Sequence, residues 1–136
     1  MLVAIDIGNT NILIGIIDSK GLIQNQHRIS TVDLLNKEKS TLIELDNIFN
    51  DLNSISDYNF IIASVVPEAC NHLNHILKEI NISANILSST DKVLGMKIDI
   101  DKPSELGTDR IVNAIAAVDE YKAPLVVIDF GTATTF

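Results

Sequence analysis

Apolar positions along the chain fall into short continuous runs and longer stretches of helical spacing, and their alternation predicts the elements. Residues 2–7 form an apolar run that reads as a buried strand, and Gly8-Asn9-Thr10-Asn11 is a turn. Residues 12–17 are apolar at nearly every position, so this second strand is expected to be covered on both faces. Asp18-Ser19-Lys20-Gly21 is a second turn, and residues 22–29 form a more polar strand, nearer the sheet edge. Three strands joined by short loops predict an antiparallel meander.

Farther along, Leu42, Leu45, Phe49 and Leu52 recur at helical spacing and predict a helix of about three turns. Residues 60–66 read as a buried strand, ended by Pro67, which suits the first turn of a helix. Leu73, Ile76, Leu77 and Ile80 carry that helix; a short strand is expected near Ile86-Leu87, and residues 92–103 read as loop with some extended structure. Ile111, Ile115 and Val118 share one face of a helix that ends near Tyr121, with Pro124 beyond it. Residues 125–128 read as a last buried strand. The order βββαβαβ(α)β predicts an α/β fold with a mixed sheet.

Two segments repeat each other. Leu2-Val3-Ala4-Ile5-Asp6-Ile7-Gly8-Asn9-Thr10 matches Leu125-Val126-Val127-Ile128-Asp129-Phe130-Gly131-Thr132-Ala133: an apolar run, then Asp-x-Gly, then small polar or hydroxyl side chains. The spacing is domain-sized, which predicts duplicated domains rather than a solenoid. An Asp at a strand end can hold Mg²⁺ directly or through water. The Gly lets the backbone approach a phosphate, and the N–H and hydroxyl groups that follow can donate to its oxygens. A single copy is better read as an ordinary strand-to-turn junction; two copies behind matching apolar runs reverse that preference and favour phosphate binding.

Composition narrows the partners. With 46% hydrophobic and 21% charged residues, 136 residues suit a globular domain with a real core. The formal net charge of -8 argues against nucleic acid or an anionic membrane as the main partner. An acidic protein can still take a nucleotide if backbone donors, local cations and a metal ion meet it. Cys70 is the only cysteine, so no internal disulfide is expected, which fits a cytoplasmic location. The apolar run after Met1 is too short for a signal peptide or a membrane span.

Asp6-Ile7-Gly8-Asn9-Thr10-Asn11, Arg28-Ile29-Ser30-Thr31, Ser64-Val65-Val66-Pro67, Gly107-Thr108-Asp109-Arg110-Ile111-Val112-Asn113-Ala114 and Asp129-Phe130-Gly131-Thr132-Ala133-Thr134-Thr135 occur in this order. Together they resemble the type III pantothenate kinases of the acetate and sugar kinase, heat-shock chaperone and actin superfamily. The resemblance implies two related ribonuclease-H-like domains with ATP in the cleft between them. It assigns residues 1–122 to the first actin-like ATPase domain. Residues 123–136 are then the first strand and phosphate motif of a second domain, most of which this chain lacks.

The implied reaction is ATP-dependent phosphorylation of pantothenate, the first step of coenzyme A synthesis, in a homodimer. The resemblance makes Asp6, Ile7, Gly8, Asn9, Thr10, Asn11, Ile12 and Leu13 the ATP phosphate segment. Gly107, Thr108, Asp109 and Arg110 would contact pantothenate, with Asp109 the proton acceptor. Asp129 would bind a monovalent cation, K⁺ or NH₄⁺, Thr132 would contact ATP, and Asp6 would serve Mg²⁺. A substrate-contacting tyrosine of the family falls at Ile100, which has no hydroxyl to offer. The chain alone is expected to fold at least in part but not to turn over pantothenate.

Residue chemistry supports part of this directly. An Asp at the start of a long helix lies near its positive end, which favours the ionised form, and an ionised carboxylate can orient an alcohol for phosphoryl transfer. Arg110 could grip a substrate carboxylate with a bidentate fork. The alternative is that Thr108 or Asp109 caps the helix and Arg110 pairs with a surface acid. Other readings of the whole chain are a different small-molecule kinase of the superfamily, which would not need Gly107 to Arg110 in this form, and a non-enzymatic regulator that kept the fold. Cys70, His72 and His75 lie close together but make an incomplete metal set on an amphipathic helix. His27 reads as a surface or interdomain residue, and Glu38, Glu44, Asp46 and Asp51 as a solvated helix face.

Overall fold

A computed structural model describes residues 1–52, 57–89, 95–130 and 134–135 of the chain. It resolves into two compact units, residues 1–86 and 87–136.

The first unit is built on β1 (Leu2–Ile7), β2 (Asn11–Ile17), β3 (Ile23–Ser30), β4 (Asn59–Ser64) and β5 (Ala84–Ile86). They form one sheet in the order β3-β2-β1-β4-β5. The β1–β2 and β2–β3 pairs are antiparallel, as the meander predicted, while β4 lies parallel to β1 and β5 parallel to β4. The mixed sheet is that of the actin-like α/β class. The turn before β3 is held by Asp18, whose carboxylate accepts from the N–H groups of Lys20 (2.8 Å) and Leu22 (3.0 Å) and from Gln24 Nε2 (2.7 Å). These bonds, the one from Leu22 foremost, hold the Asp18 carboxyl below its usual range.

Three helices accompany the sheet: α1 (Thr31–Leu35), α2 (Lys39–Asn50) and α3 (Pro67–Glu79). Val3, Ile5 and Ile7 of β1 join Ile12, Ile14 and Ile16 of β2, Phe60 and Ile62 of β4, and Leu34, Leu45, Phe49, Leu73 and Leu77 of the helices in one buried cluster. Each such side chain contributes about 1.5–3 kcal/mol on burial. Phe49 and Phe60 meet edge to face, with ring centroids 6.2 Å apart. The pleat therefore turns Asp6, with its ladder partners Leu13 and Ala63, away from the face that meets the helices.

Several expectations need correction. β2 is not fully covered on both faces: Ile12, Ile14 and Ile16 are buried, while Leu13, Gly15 and Ile17 on the other face are only half-buried. The fourth strand stops at Ser64 rather than running to residue 66. Ser64 Oγ bonds both the N–H and the carbonyl of Val66 at 3.1 Å, a local side-chain turn that competes with the ladder. Helix α1 was not foreseen; Ser30 caps it by accepting from Asp33 N–H at 3.2 Å. Helix α2 begins three residues ahead of Leu42, and Glu38, Glu44, Asp46 and Asp51 are exposed as expected.

The second unit holds a 3₁₀ turn at Pro103–Glu105, helix α4 (Thr108–Tyr121), and the two-residue pair β6 (Asp129–Phe130) and β7 (Thr134–Thr135). Of the face expected to carry α4, only Ile111 is buried; Ile115 is half-buried and Val118 exposed. Residues 125–128 do not form the expected buried strand. They run without secondary structure, Val126 and Ile128 are exposed, and no strand pairs with them among the described residues. An isolated apolar run gains neither ladder bonds nor a covered face, so its sequence alone cannot hold it in a sheet. Residues 90–94 lie outside the described residues, so the expected loop over 92–103 is described from residue 95 on. Among the described residues no helix is long and apolar enough to cross a membrane.

Candidate functional site

The chain reverses direction across the sheet at β1. From β1 it proceeds to β2 and β3 on one side, then returns to place β4 on the other. The carboxyl ends of β1 and β4 lie side by side, with Ile7 opposite Ser64. This is a topological switch point, where open α/β sheets bind ligands.

Three of the quoted segments meet there. Asp6 sits in the last turn of β1's pleat, half-buried, with Oδ1 shielded from solvent. The following turn is closed by Gly8 N–H donating to the Asn11 carbonyl at 2.9 Å. A Cβ on Gly8 would lie 3.3 Å from that same oxygen, so a side chain would press on the turn. From the second segment, Thr31 donates through Oγ1 to the Gly8 carbonyl (2.8 Å) and through its N–H to the Thr10 carbonyl (3.0 Å). From the third, Val65 N–H donates to the Ile7 carbonyl at 3.0 Å, which ties the Ser64-Val65-Val66-Pro67 bend to the end of β1. Asn9 and Thr10 are exposed at the tip, while Ile12 is core and Leu13 is half-buried on the Asp6 face.

The architecture thus brings Asp6, Gly8, Asn9, Thr10 and Asn11 into one tethered turn. Ile7 and Ile12 flank it as core residues, whose side chains face the helices. Sequence reasoning did not find the tethering by Thr31. The available signal was a Ser-Thr pair directly after a strand, which marks a helix start whose side chains can also bond back to the preceding turn.

In the second unit, Gly107 is the N-cap of α4 and makes no side-chain cap bond. Thr108 is buried in the first turn, and Asp109 Oδ1 accepts from Arg110 N–H at 2.8 Å. Asp109 is therefore held at the positive end of a 14-residue helix, half-exposed, with its other oxygen not engaged by that bond. Arg110 is exposed and makes no ion pair among the described residues. It lines an open cavity of about 680 Å³ together with Ile100, Asn113, Val118 and Asp129. The cavity wall is mostly apolar, with Arg110, Asn113 and Asp129 as the polar groups set into it. Thr132, Gly131 and Ala133 lie outside the described residues.

The Cys70, His72 and His75 cluster does not converge. Cys70 is buried, and that burial pushes its thiol up, while His75 is exposed and lies 3.4 Å from Glu79. No group of three or more His, Cys, Asp or Glu side chains suited to a metal occurs among the described residues.

Comparison with known proteins bears on the same segments. The family model described as type III pantothenate kinase matches residues 2–136. A curated relative, the type III pantothenate kinase of Citrifermentans bemidjiense, is 41% identical over 143 aligned residues. That alignment takes in 100% of this chain and 54% of the relative, so the chain spans about half the relative's length. A match over nearly every residue, on a sheet whose switch point carries the Asp-x-Gly turn, shows that the chain belongs to the type III pantothenate kinase family.

Proposed function

We propose that the complete protein transfers the γ-phosphoryl group of ATP to the terminal hydroxyl of pantothenate. The observation that carries this reading is the meeting of the Asp6 turn with the Ser30-Thr31 and Ser64-Pro67 segments at the switch point of the sheet. Family membership supplies the substrate pair.

In this reading the Asp6 to Leu13 segment receives the triphosphate, with the tip of the turn supplying backbone and side-chain donors. Asp6 is the carboxylate for Mg²⁺. A hard cation takes one or two carboxylate oxygens and completes its shell from phosphate and water, so a single half-buried Asp fits that need. Mg²⁺, when bound, offsets charge on the phosphate oxygens. Asp129, exposed on the cavity wall, is the carboxylate for K⁺ or NH₄⁺, and Thr132 contacts ATP.

Gly107, Thr108, Asp109 and Arg110 bind pantothenate. Arg110 grips the substrate carboxylate, and Asp109 accepts the hydroxyl proton as that oxygen bonds to the γ-phosphorus and the bridging bond to ADP breaks. The transition state is loose, so the main task of Asp109 is to orient the alcohol. Residues 1–122 act as the first actin-like domain and 123–136 as the opening of the second. The enzyme works in the cytoplasm as a homodimer.

A coupled ADP-release assay on the complete protein, with pantothenate, Mg²⁺ and K⁺, tests the reaction. Asp109→Asn is expected to lower turnover about a hundredfold or more while leaving the pantothenate Kd nearly unchanged. Near-normal turnover would remove Asp109 as the proton acceptor. A preference for sugars over pantothenate would remove the assigned substrate.

A further inference from the structure

We propose that Thr31 is a positioning residue that sets the phosphate-facing geometry of the Gly8–Asn11 turn; the inference rests on the function proposed above. Thr31 is the first residue of α1 and is 1% exposed, one of the few polar side chains buried in the described chain. A buried threonine needs a partner for its hydroxyl, and here that partner is the Gly8 carbonyl, 2.8 Å away and 23 residues distant in sequence. Its own N–H takes the Thr10 carbonyl at 3.0 Å. One residue thus holds two of the turn's carbonyl oxygens.

The consequence follows from the planarity of the peptide. In a trans peptide the N–H points opposite to the carbonyl. Anchoring the Gly8 carbonyl on buried Thr31 therefore aims the Asn9 N–H away from Thr31, at the exposed tip of the turn. Among the described residues, the N–H groups of Asn9 and Thr10 donate to no backbone carbonyl. The same anchor keeps the Gly8 and Thr10 carbonyl oxygens, which would repel a phosphate, directed at Thr31. Gly8 N–H is already committed to Asn11, so the turn's geometry is fixed from within and from α1 together. Thr31 touches neither phosphate nor acceptor in this account. It acts through the turn, by making its donors ready before ATP arrives.

The test compares Thr31→Val, which keeps the shape and removes the hydroxyl, with Thr31→Ser, which keeps the hydroxyl, in the complete protein. Steady-state kinetics with ATP and pantothenate varied separately, and thermal melts, are recorded for each. Thr31→Val is expected to raise the ATP KM about tenfold, the equivalent of one well-placed hydrogen bond, and to leave the pantothenate KM within about twofold. Thr31→Ser is expected to restore the ATP KM to within about twofold of wild type. Thr31→Ala, which puts no methyl against the Gly8 carbonyl, repeats the measurement if the valine variant does not fold, and must show the same ATP-specific loss. A variant that melts lower yet keeps the wild-type ATP KM would show a merely structural threonine and overturn the proposal. So would equal losses for both substrates. Wild-type protein that releases no ADP with pantothenate would overturn the proposed function and this inference with it, which separates the two failures.

Discussion

Residues 2–7 and 125–130 carry nearly the same string of side chains, Leu-Val-Ala-Ile-Asp-Ile and Leu-Val-Val-Ile-Asp-Phe, and adopt different structures. Val3 and Ile5 are 0% and 2% exposed at the middle of a five-stranded sheet; Val126 and Ile128, their counterparts, are 77% and 55% exposed. The first copy has β2 on one side, β4 on the other and three helices against one face. The second pairs only over Asp129–Phe130, with Thr134–Thr135. An apolar run with β-branched residues is thus permission to form a strand, and its neighbours decide whether the permission is used. The same contrast extends to the two aspartates. Asp6 is shielded and its turn is tied down by Thr31 and Asn11, whereas Asp129 stands exposed.

The largest expected difference between the copies is in amide exchange. In the 136-residue chain, the β1 amides should exchange about a thousandfold or more slowly than those of residues 126–128, because opening β1 requires unfolding the sheet. Equal protection, read by hydrogen–deuterium exchange, would mean that the second copy is paired in solution. Next comes the ligand contrast, in the complete protein. Asp6→Ala should weaken Mg-ATP binding by at least about a hundredfold without loss of the fold, since its side chain faces away from the helix-packed core. Asp129→Ala should instead weaken the dependence on K⁺. Calorimetry with Mg-ATP decides, and unchanged affinity in Asp6→Ala would make that residue structural. The smallest effect is on packing. In the 136-residue chain, Ile5→Val should cost about 0.5–1.5 kcal/mol of stability in denaturant titrations, and Ile128→Val less than about 0.5 kcal/mol. Matching costs would contradict the exposure of Ile128.

The meander, the helix after Pro67 and the Asp-x-Gly turn were legible because each is set by local chemistry: period, proline placement and turn residues. The parallel placement of β4 beside β1 was not, because it depends on contacts more than fifty residues apart in sequence. Helix α1 escaped notice because five residues are too few to display a periodicity. Residues 125–128 misled for the opposite reason. Their local pattern is as strong as that of β1, and nothing local records whether partner strands are present. At the site, the residue types of the Asp6 turn could be read from the sequence, but the two carbonyls held by Thr31 could not. Those bonds exist only because β3 delivers Thr31 beside the turn.

The alternation along β1 also bears on folding fidelity. Asp6 lies between Ile5 and Ile7, and its ladder partners Leu13 and Ala63 fix which face it takes. A slip of one residue would carry its carboxylate into the layer where Val3, Ile5 and Ile7 meet the helices, and push those three side chains out of it. Misaligned sheets would bear an uncompensated charge in an apolar layer, a cost of several kcal/mol. The Asp6 carboxylate thereby acts as a proofreading mark on the central strand, penalising wrong alignments while the chain folds.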